Sequence, residues 1–178
     1  MGVPLKVFRK FNAKKYGFHS PDLPDNVMNA YHALAIDELR KPFKPTLWDE
    51  NIKSFQSMEQ RWFAGVHTNV GGGYEKDGLA NHALHWILHH AIECGLEIDY
   101  DFIKFYRPFH GHHLYKSLSF GYRLLGKNLR KINTSQRQTI DASVENRIKG
   151  DFDYKPKNVD NNFTYSKSLI LKKPQENN

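Results

Sequence analysis

Apolar and polar positions change period several times along this chain, and each change marks an element. Val27, Ala30, Tyr31, Leu34 and Ala35 recur at helical spacing. Asp25 or Asn26 can cap that helix, which the pattern carries to about residue 40, and Pro42 and Pro45 end it. Arg61-Trp62-Phe63-Ala64-Gly65-Val66 is a short, strand-like run that ends before His67. A second helix is expected from Leu79 to Cys94, stopped by Gly95 as a C′ glycine stops one. On it Ala80, Leu84, Ile87, Leu88 and Ala91 form an apolar stripe. His82, His85, His89 and Glu93 form the opposite face, which is expected to meet solvent. Trp86 falls off the stripe and should pack on a second element.

The rest of the chain is less regular. Residues 1–24 read as loop, with Phe8, Phe11, Tyr16 and Phe18 as anchors and Ser20-Pro21-Asp22-Leu23-Pro24 as turn chemistry. Residues 98–132 alternate short apolar runs with glycine and basic residues, which suggests helices or irregular cover. Residues 134–148 read as a loop and a short helix. From Asp151 onward the chain looks extended, and the polar end Lys172–Asn178 is expected to be disordered.

Length and composition bound the class. A chain of 178 residues suits one domain. The apolar stretches are far shorter than the ~18 residues of a membrane span. Met1-Gly2-Val3-Pro4-Leu5-Lys6 has no signal-peptide pattern. The single cysteine, Cys94, fits a reducing compartment such as the cytoplasm. Net charge is +7, and residues 101–150 carry ten Lys/Arg against three Asp/Glu. Such a segment is a solvated surface by default. It also admits a partner, the phosphates of a membrane surface, or nucleic acid, the last without any motif to support it.

The chemistry concentrates in Trp62-Phe63-Ala64-Gly65-Val66-His67-Thr68-Asn69-Val70-Gly71-Gly72-Gly73-Tyr74. A histidine beyond a buried strand can serve as a general base, because its unperturbed pKa lies near ~6.5. Gly71, Gly72 and Gly73 would let the backbone turn tightly there. They do not form a phosphate loop, since the Gly-Lys-Ser/Thr ending is missing. A histidine in a turn is more often structural, so the spacing alone assigns no catalysis. His82, His85 and His89 share a face, but no Glu or Cys joins them in a metal motif. His110, His112 and His113 read as surface. Asp37 shares its block with Arg40, and an ion pair between them is the ordinary reading.

The glycine segment resembles the Trp-Phe-x-Gly-Val-His-x-Asp/Asn-Val-Gly-Gly-Gly-Tyr motif of an α/β-hydrolase family that includes type VI secretion phospholipase effectors. Asn29 to Arg40, then Phe43-Lys44-Pro45-Thr46-Leu47-Trp48, resembles a further block of that family. So do Leu79 with Ala83-Leu84-His85-Trp86 and, more weakly, Ser143-Val144-Glu145-Asn146-Arg147 with Tyr154-Lys155-Pro156. The resemblance spans residues 2–157, which would form one domain with 158–178 as a tail.

The resemblance implies a Ser-Asp-His triad in chain order, its serine in a Gly-x-Ser-x-Gly elbow. His67 matches the family's catalytic histidine. The acid belongs to an Asp-Thr-Val-Gly block that would precede Gly2-Val3-Pro4-Leu5. No Gly-x-Ser-x-Gly occurs here, and Ser117-Leu118-Ser119-Phe120-Gly121 lacks the first glycine. The expected fold is therefore the C-terminal part of an α/β-hydrolase, mostly helical cover with one or two strands. The expected function is that of a cofactor-free, phospholipase-like serine ester hydrolase with the histidine present and the nucleophile and acid absent. The implied partners are the missing N-terminal half or a lipid ester. The alternative is a non-catalytic remnant or split-gene product that binds a partner through the basic face. Asn69 stands where the family more often has Asp, and Asn69→Asp is expected to be tolerated.

Overall fold

The computed structural model describes residues 21–117, 126–135, 137–150, 152–159 and 163–174. Residues 1–20 of the loop expected at 1–24, the elbow-like Ser119 and the last four residues lie outside them. Four strands make one parallel sheet in the order β1-β2-β3-β4: β1 (Asn29–Ala35), β2 (Ser57–Phe63), β3 (Gln138–Asp141) and β4 (Tyr165–Ser166). The helices are α1 (His67–Gly71), α2 (Gly78–Glu93), α3 (Tyr100–Ile103) and α4 (Ala142–Lys149). This is a mixed α/β architecture, a small parallel sheet flanked by helices, consistent with an α/β-hydrolase-like topology. The described residues hold four strands where one or two were expected. Helical residues still outnumber strand residues among them, as expected.

The helix expected at 25–40 is instead β1. Its backbone pairs with β2 in a seven-residue parallel register, from Asn29 opposite Ser57 to Ala35 opposite Phe63. Leu34 and the following Ile36 enter a core with Trp62, Ile140 and Val144. Tyr31, Ala33 and Ala35 meet the other core, of Phe63, Val70, Ala83 and Trp86. A strand covered on both faces is apolar on both, so its residues satisfy a helical period by accident.

β2 begins at Ser57, earlier than its apolar run. Gln60 is fully buried, yet its amide accepts the Trp48 N–H at 2.8 Å and donates to the Trp48 carbonyl at 3.2 Å. Arg61 is buried between Glu59 and Asp141, at 2.8 and 3.2 Å. These partners come from distant segments, so a polar strand start can sit in the middle of a sheet. β3 hides behind the same effect. It has four residues, and Gln138 takes the Trp62 indole N–H at 2.8 Å.

α2 starts at Gly78, as the pattern requires, but its faces are reversed. His82 and His85 are buried, while Leu84, Ile87 and Leu88 are only half-buried. Residues 99–113 and the segment 169–171 beyond β4 cover the histidine face. His85 Nε2 donates to the Tyr106 carbonyl at 2.8 Å, and its Nδ1 accepts the Leu171 N–H at 3.0 Å. His89 stays partly exposed beside Glu93. Trp86 packs on the sheet, against Phe63 and edge-on to Tyr31.

The buried histidine face has a consequence for acid stability. Among the described residues neither ring nitrogen of His82 has a hydrogen-bond partner. Its pKa is pushed down to about 4, first by burial, with His110 and His85 adding to the effect and Asp141 opposing it. The unfolded chain binds that proton near 6.5, so its contribution to stability is whole above pH 6.5. It is lost as pH falls through 4, by about 3 kcal/mol. Urea denaturation midpoints should therefore fall between pH 6.5 and 4 in the wild type and fall less in His82→Phe. Equal slopes in both proteins would remove His82 as the cause.

Candidate active site

The parallel register of β1 and β2 ends with Ala35 opposite Phe63, so both chains leave the sheet side by side at its C-terminal edge. That edge is where ligands meet open α/β sheets. Asp37 ties the two exits together. Its N–H donates to the Gly65 carbonyl at 3.0 Å, and its carboxylate accepts the Gly65 N–H at 2.6 Å and the Tyr154 hydroxyl at 2.8 Å. Burial raises the Asp37 pKa, against the pull of Tyr154, Gly65 and Arg147. Asp37 is thus a clamp between loops, and the partner of Arg40 is its neighbour Glu38.

Glu38 follows β1 by three residues and His67 follows β2 by four. The clamp brings them to 2.7 Å, Glu38 Oε2 to His67 Nδ1. The Glu38 side chain is 2% exposed and that of His67 47%. Glu38 Oε1 accepts the backbone N–H and the Nε–H of Arg40, at 3.0 and 2.9 Å, and the Ser117 hydroxyl at 3.0 Å. Oε2 accepts from Arg40 Nη2 at 2.8 Å. Burial alone would push Glu38 up. The hydrogen bonds from Arg40, His67 and Ser117 win, and the carboxyl is held at about 2. Arg40 Nη2 also lies 2.7 Å from His67 Nδ1. Of these two neighbours only the carboxylate can accept an Nδ1 proton. With that proton in place, Nε2 is the nitrogen left to act as a base; Thr68 Oγ1 stands 3.0 Å from it.

His67 is not in an irregular loop. β2 stops at Phe63, three residues before the expected Val66, and His67 opens the one-turn helix α1. Gly65 causes the break with a φ of +111°, and a side chain there would collide with Asn69. Asn69 then holds the turn. It is buried, its Oδ1 accepts the Val66 and Tyr115 N–H groups at 3.3 Å each, and its Nδ2 donates to the His113 carbonyl at 3.2 Å. Of the glycine run, Gly72 and Gly73 have positive φ, at +86° and +109°, and Gly71 does not.

These bonds change the expectation for Asn69→Asp. A carboxylate would keep both acceptor roles and lose the donor to His113 O, facing a carbonyl with a buried charge. The substitution should lower stability by about 1–3 kcal/mol at pH 7. An unchanged denaturation midpoint would show that the amide donor contributes nothing.

A cavity of about 600 Å³ opens beside this pair. Glu38, His67, Gly71 to Tyr74 and Phe43 line one side, and Ala80, Ala83, Leu84 and Ile87 of α2 another. Residues 32–35 of β1 form its floor, and among the described residues no strand pairs with the outer edge of β1. Arg130 also lines it. Arg130 is 3% exposed, and it donates through Nη2 to the Phe43 carbonyl at 2.6 Å and, at 3.4 Å, to that of Arg40.

With that geometry in place, one family model matches residues 1–90, described as T6SS, phospholipase effector Tle1-like, catalytic domain. The chain belongs to this Tle1-like family. The matched stretch contains β1, β2, Glu38, His67 and most of α2. Comparisons with curated proteins and with solved structures gave no match.

The other predicted residues settle elsewhere in this Tle1-like chain. His112 is half-buried and structural: its Nδ1 accepts the Gly78 N–H at 2.8 Å and so caps α2. His113 is exposed and His110 half-buried. The described residues contain no group of three His, Cys, Asp or Glu placed to hold a metal. The basic segment is less of a free face than its sequence suggests. Arg130 and Arg147 are buried, the latter donating to the His110 and His112 carbonyls, and Lys149 pairs with Glu145. No described helix is long and apolar enough to cross a membrane. Sequence reasoning missed Glu38 and Arg130. The signal for Glu38 was available: once 29–35 is read as a strand, an acid lies three residues past its end.

Proposed function

We propose that this chain supplies the general base and the positioning acid of a carboxylic ester hydrolase of the phospholipase type. His67 takes the proton from a nucleophilic hydroxyl through Nε2 and returns it to the leaving group. Glu38 holds Nδ1–H, fixes the tautomer and stabilises the imidazolium as it forms. The acid that was expected to be absent is thus replaced by one within the chain. One observation carries this reading: a buried, ionised carboxylate sits 2.7 Å from Nδ1 of a half-exposed histidine at the C-terminal edge of a parallel sheet. The family match supports the reaction class.

The nucleophile is to come from a segment that adds a parallel strand at the outer edge of β1. A strand there would end at the same sheet edge, next to His67. The test is reconstitution. Mixed with the upstream half of a full-length family member that carries the Gly-x-Ser-x-Gly segment, the chain should hydrolyse p-nitrophenyl butyrate. Each half alone should give background rates. A folded mixture without activity overturns the proposal. So does activity of this chain alone that survives His67→Ala.

A further inference from the structure

Thr68 gives the dyad a hydroxyl of its own. Its Oγ1 lies 3.0 Å from His67 Nε2, the ring nitrogen that Glu38 does not hold. With the Nδ1 proton on the Glu38 side, Nε2 can only accept, so Thr68 donates. The contacts form one chain, from Glu38 Oε2 to Nδ1 at 2.7 Å and from Nε2 to Thr68 Oγ1 at 3.0 Å. A helical threonine can turn its hydroxyl back to a carbonyl one turn earlier. Thr68 turns it to the imidazole instead.

The pair is also open to reagents. Thr68 is half-buried, and the His67 side chain is half-exposed. The methyl group of Thr68 lies beside Gly73, 3.5 Å from where a Cβ would stand there. Gly73 lines the cavity, so Thr68 stands at its margin. A hydroxyl, a base within hydrogen-bond reach and a third group that orients the base are the parts of covalent acyl transfer. All three lie in this chain.

We propose that Thr68 is a nucleophile, and that with Glu38 and His67 it accepts one acyl group from an activated ester, one whose leaving group is far more acidic than an alcohol. Thr68 Oγ1 bonds to the carbonyl carbon, and the bond from that carbon to the leaving oxygen breaks. The Thr68 proton passes to Nε2 and from there to the leaving group or to solvent. The product is the ester of a secondary alcohol, much less reactive than the ester that made it. The reaction therefore stops at one equivalent and adds nothing to steady-state turnover. The inference rests on the Glu38–His67 dyad of the proposed hydrolase, where Thr68 holds at Nε2 the place that the incoming serine takes.

The experiment incubates the full chain with a small excess of p-nitrophenyl butyrate and maps butyryl groups by peptide mass spectrometry over time. Thr68 should gain a butyryl group, up to one per chain. His67→Ala should slow that labelling by about a hundredfold or more. Thr68→Ser, with a less hindered hydroxyl, should be labelled at position 68 faster than the wild type. The wild type unfolded in urea should label Thr68 far more slowly than the folded chain, a comparison that needs no variant. Acylation confined to lysines, with Thr68 unmodified, overturns the proposal. So does labelling of Thr68 that is as fast in folded His67→Ala or in urea. If Thr68 stays unmodified while the reconstituted mixture hydrolyses the ester, only the role of Thr68 falls. If both fail, the dyad falls with it.

Discussion

In the reconstituted hydrolase, His67→Ala should lower the turnover number by about 10⁴- to 10⁶-fold with little loss of stability. The two halves of this expectation come from different facts. In the proposed role His67 makes an interaction of the transition state, so its loss lowers kcat rather than raising KM. The side chain itself is half-exposed, and its removal leaves Glu38 still bound to Arg40 and Ser117. No buried group is orphaned, so the thermal midpoint should move by only about the amount of an ordinary surface change. Steady-state kinetics on p-nitrophenyl butyrate, with melting curves of both proteins, check the pair of outcomes. A variant that unfolds early while its folded fraction keeps full specific activity would make His67 structural, and the proposed role would be withdrawn.

Glu38→Gln should do the reverse as well as the same. Its turnover number should fall by up to about 10⁴-fold, because an amide no longer fixes the Nδ1–H tautomer. Unlike His67→Ala, it should also destabilise the chain by about 3–5 kcal/mol, since it strips a buried guanidinium of its counter-ion. Arg40 is 10% exposed and spends its backbone N–H, Nε and Nη2 on this one carboxylate. The pH dependence identifies the cause. Glu38 is held at about 2 in the folded chain against an ordinary 4.5. Its contribution is therefore complete above pH 4.5 and disappears as pH falls through 2, amounting to about 3 kcal/mol. Urea denaturation at pH 7 and at pH 2 should show wild type and Glu38→Gln far apart at the first and nearly together at the second. A gap that persists undiminished at pH 2 would mean that shape, not charge, is what Glu38 supplies. The acid window of His82 lies higher, between pH 6.5 and 4, and is common to both proteins.

Local signals in the sequence were enough for the parts of this protein that depend on neighbours in the chain. The start of α2 at Gly78, its length, and the strand before the glycine motif follow from apolar spacing and from glycine. So does the place of Trp86, which its departure from the stripe assigns to a second element. The resemblance to the family, and the choice of His67 as a candidate, rest on residues 62–74, where glycine geometry and histidine chemistry lie in one short run. Tertiary structure decided the rest. Residues 29–35 carry a pattern that fits a helix and a doubly covered strand equally, and only pairing with β2 separates the two. Gln60 and Gln138 look like surface residues and sit in the sheet, because partners from residues 48 and 62 satisfy them. The histidine face of α2 is buried because residues 99–113 and 169–171 fold over it. Glu38 and His67 are 29 residues apart, and no local rule joins them. They meet because two parallel strands end in register and Asp37 locks the exits together, which places a buried charge on the one ring nitrogen where it can orient a base.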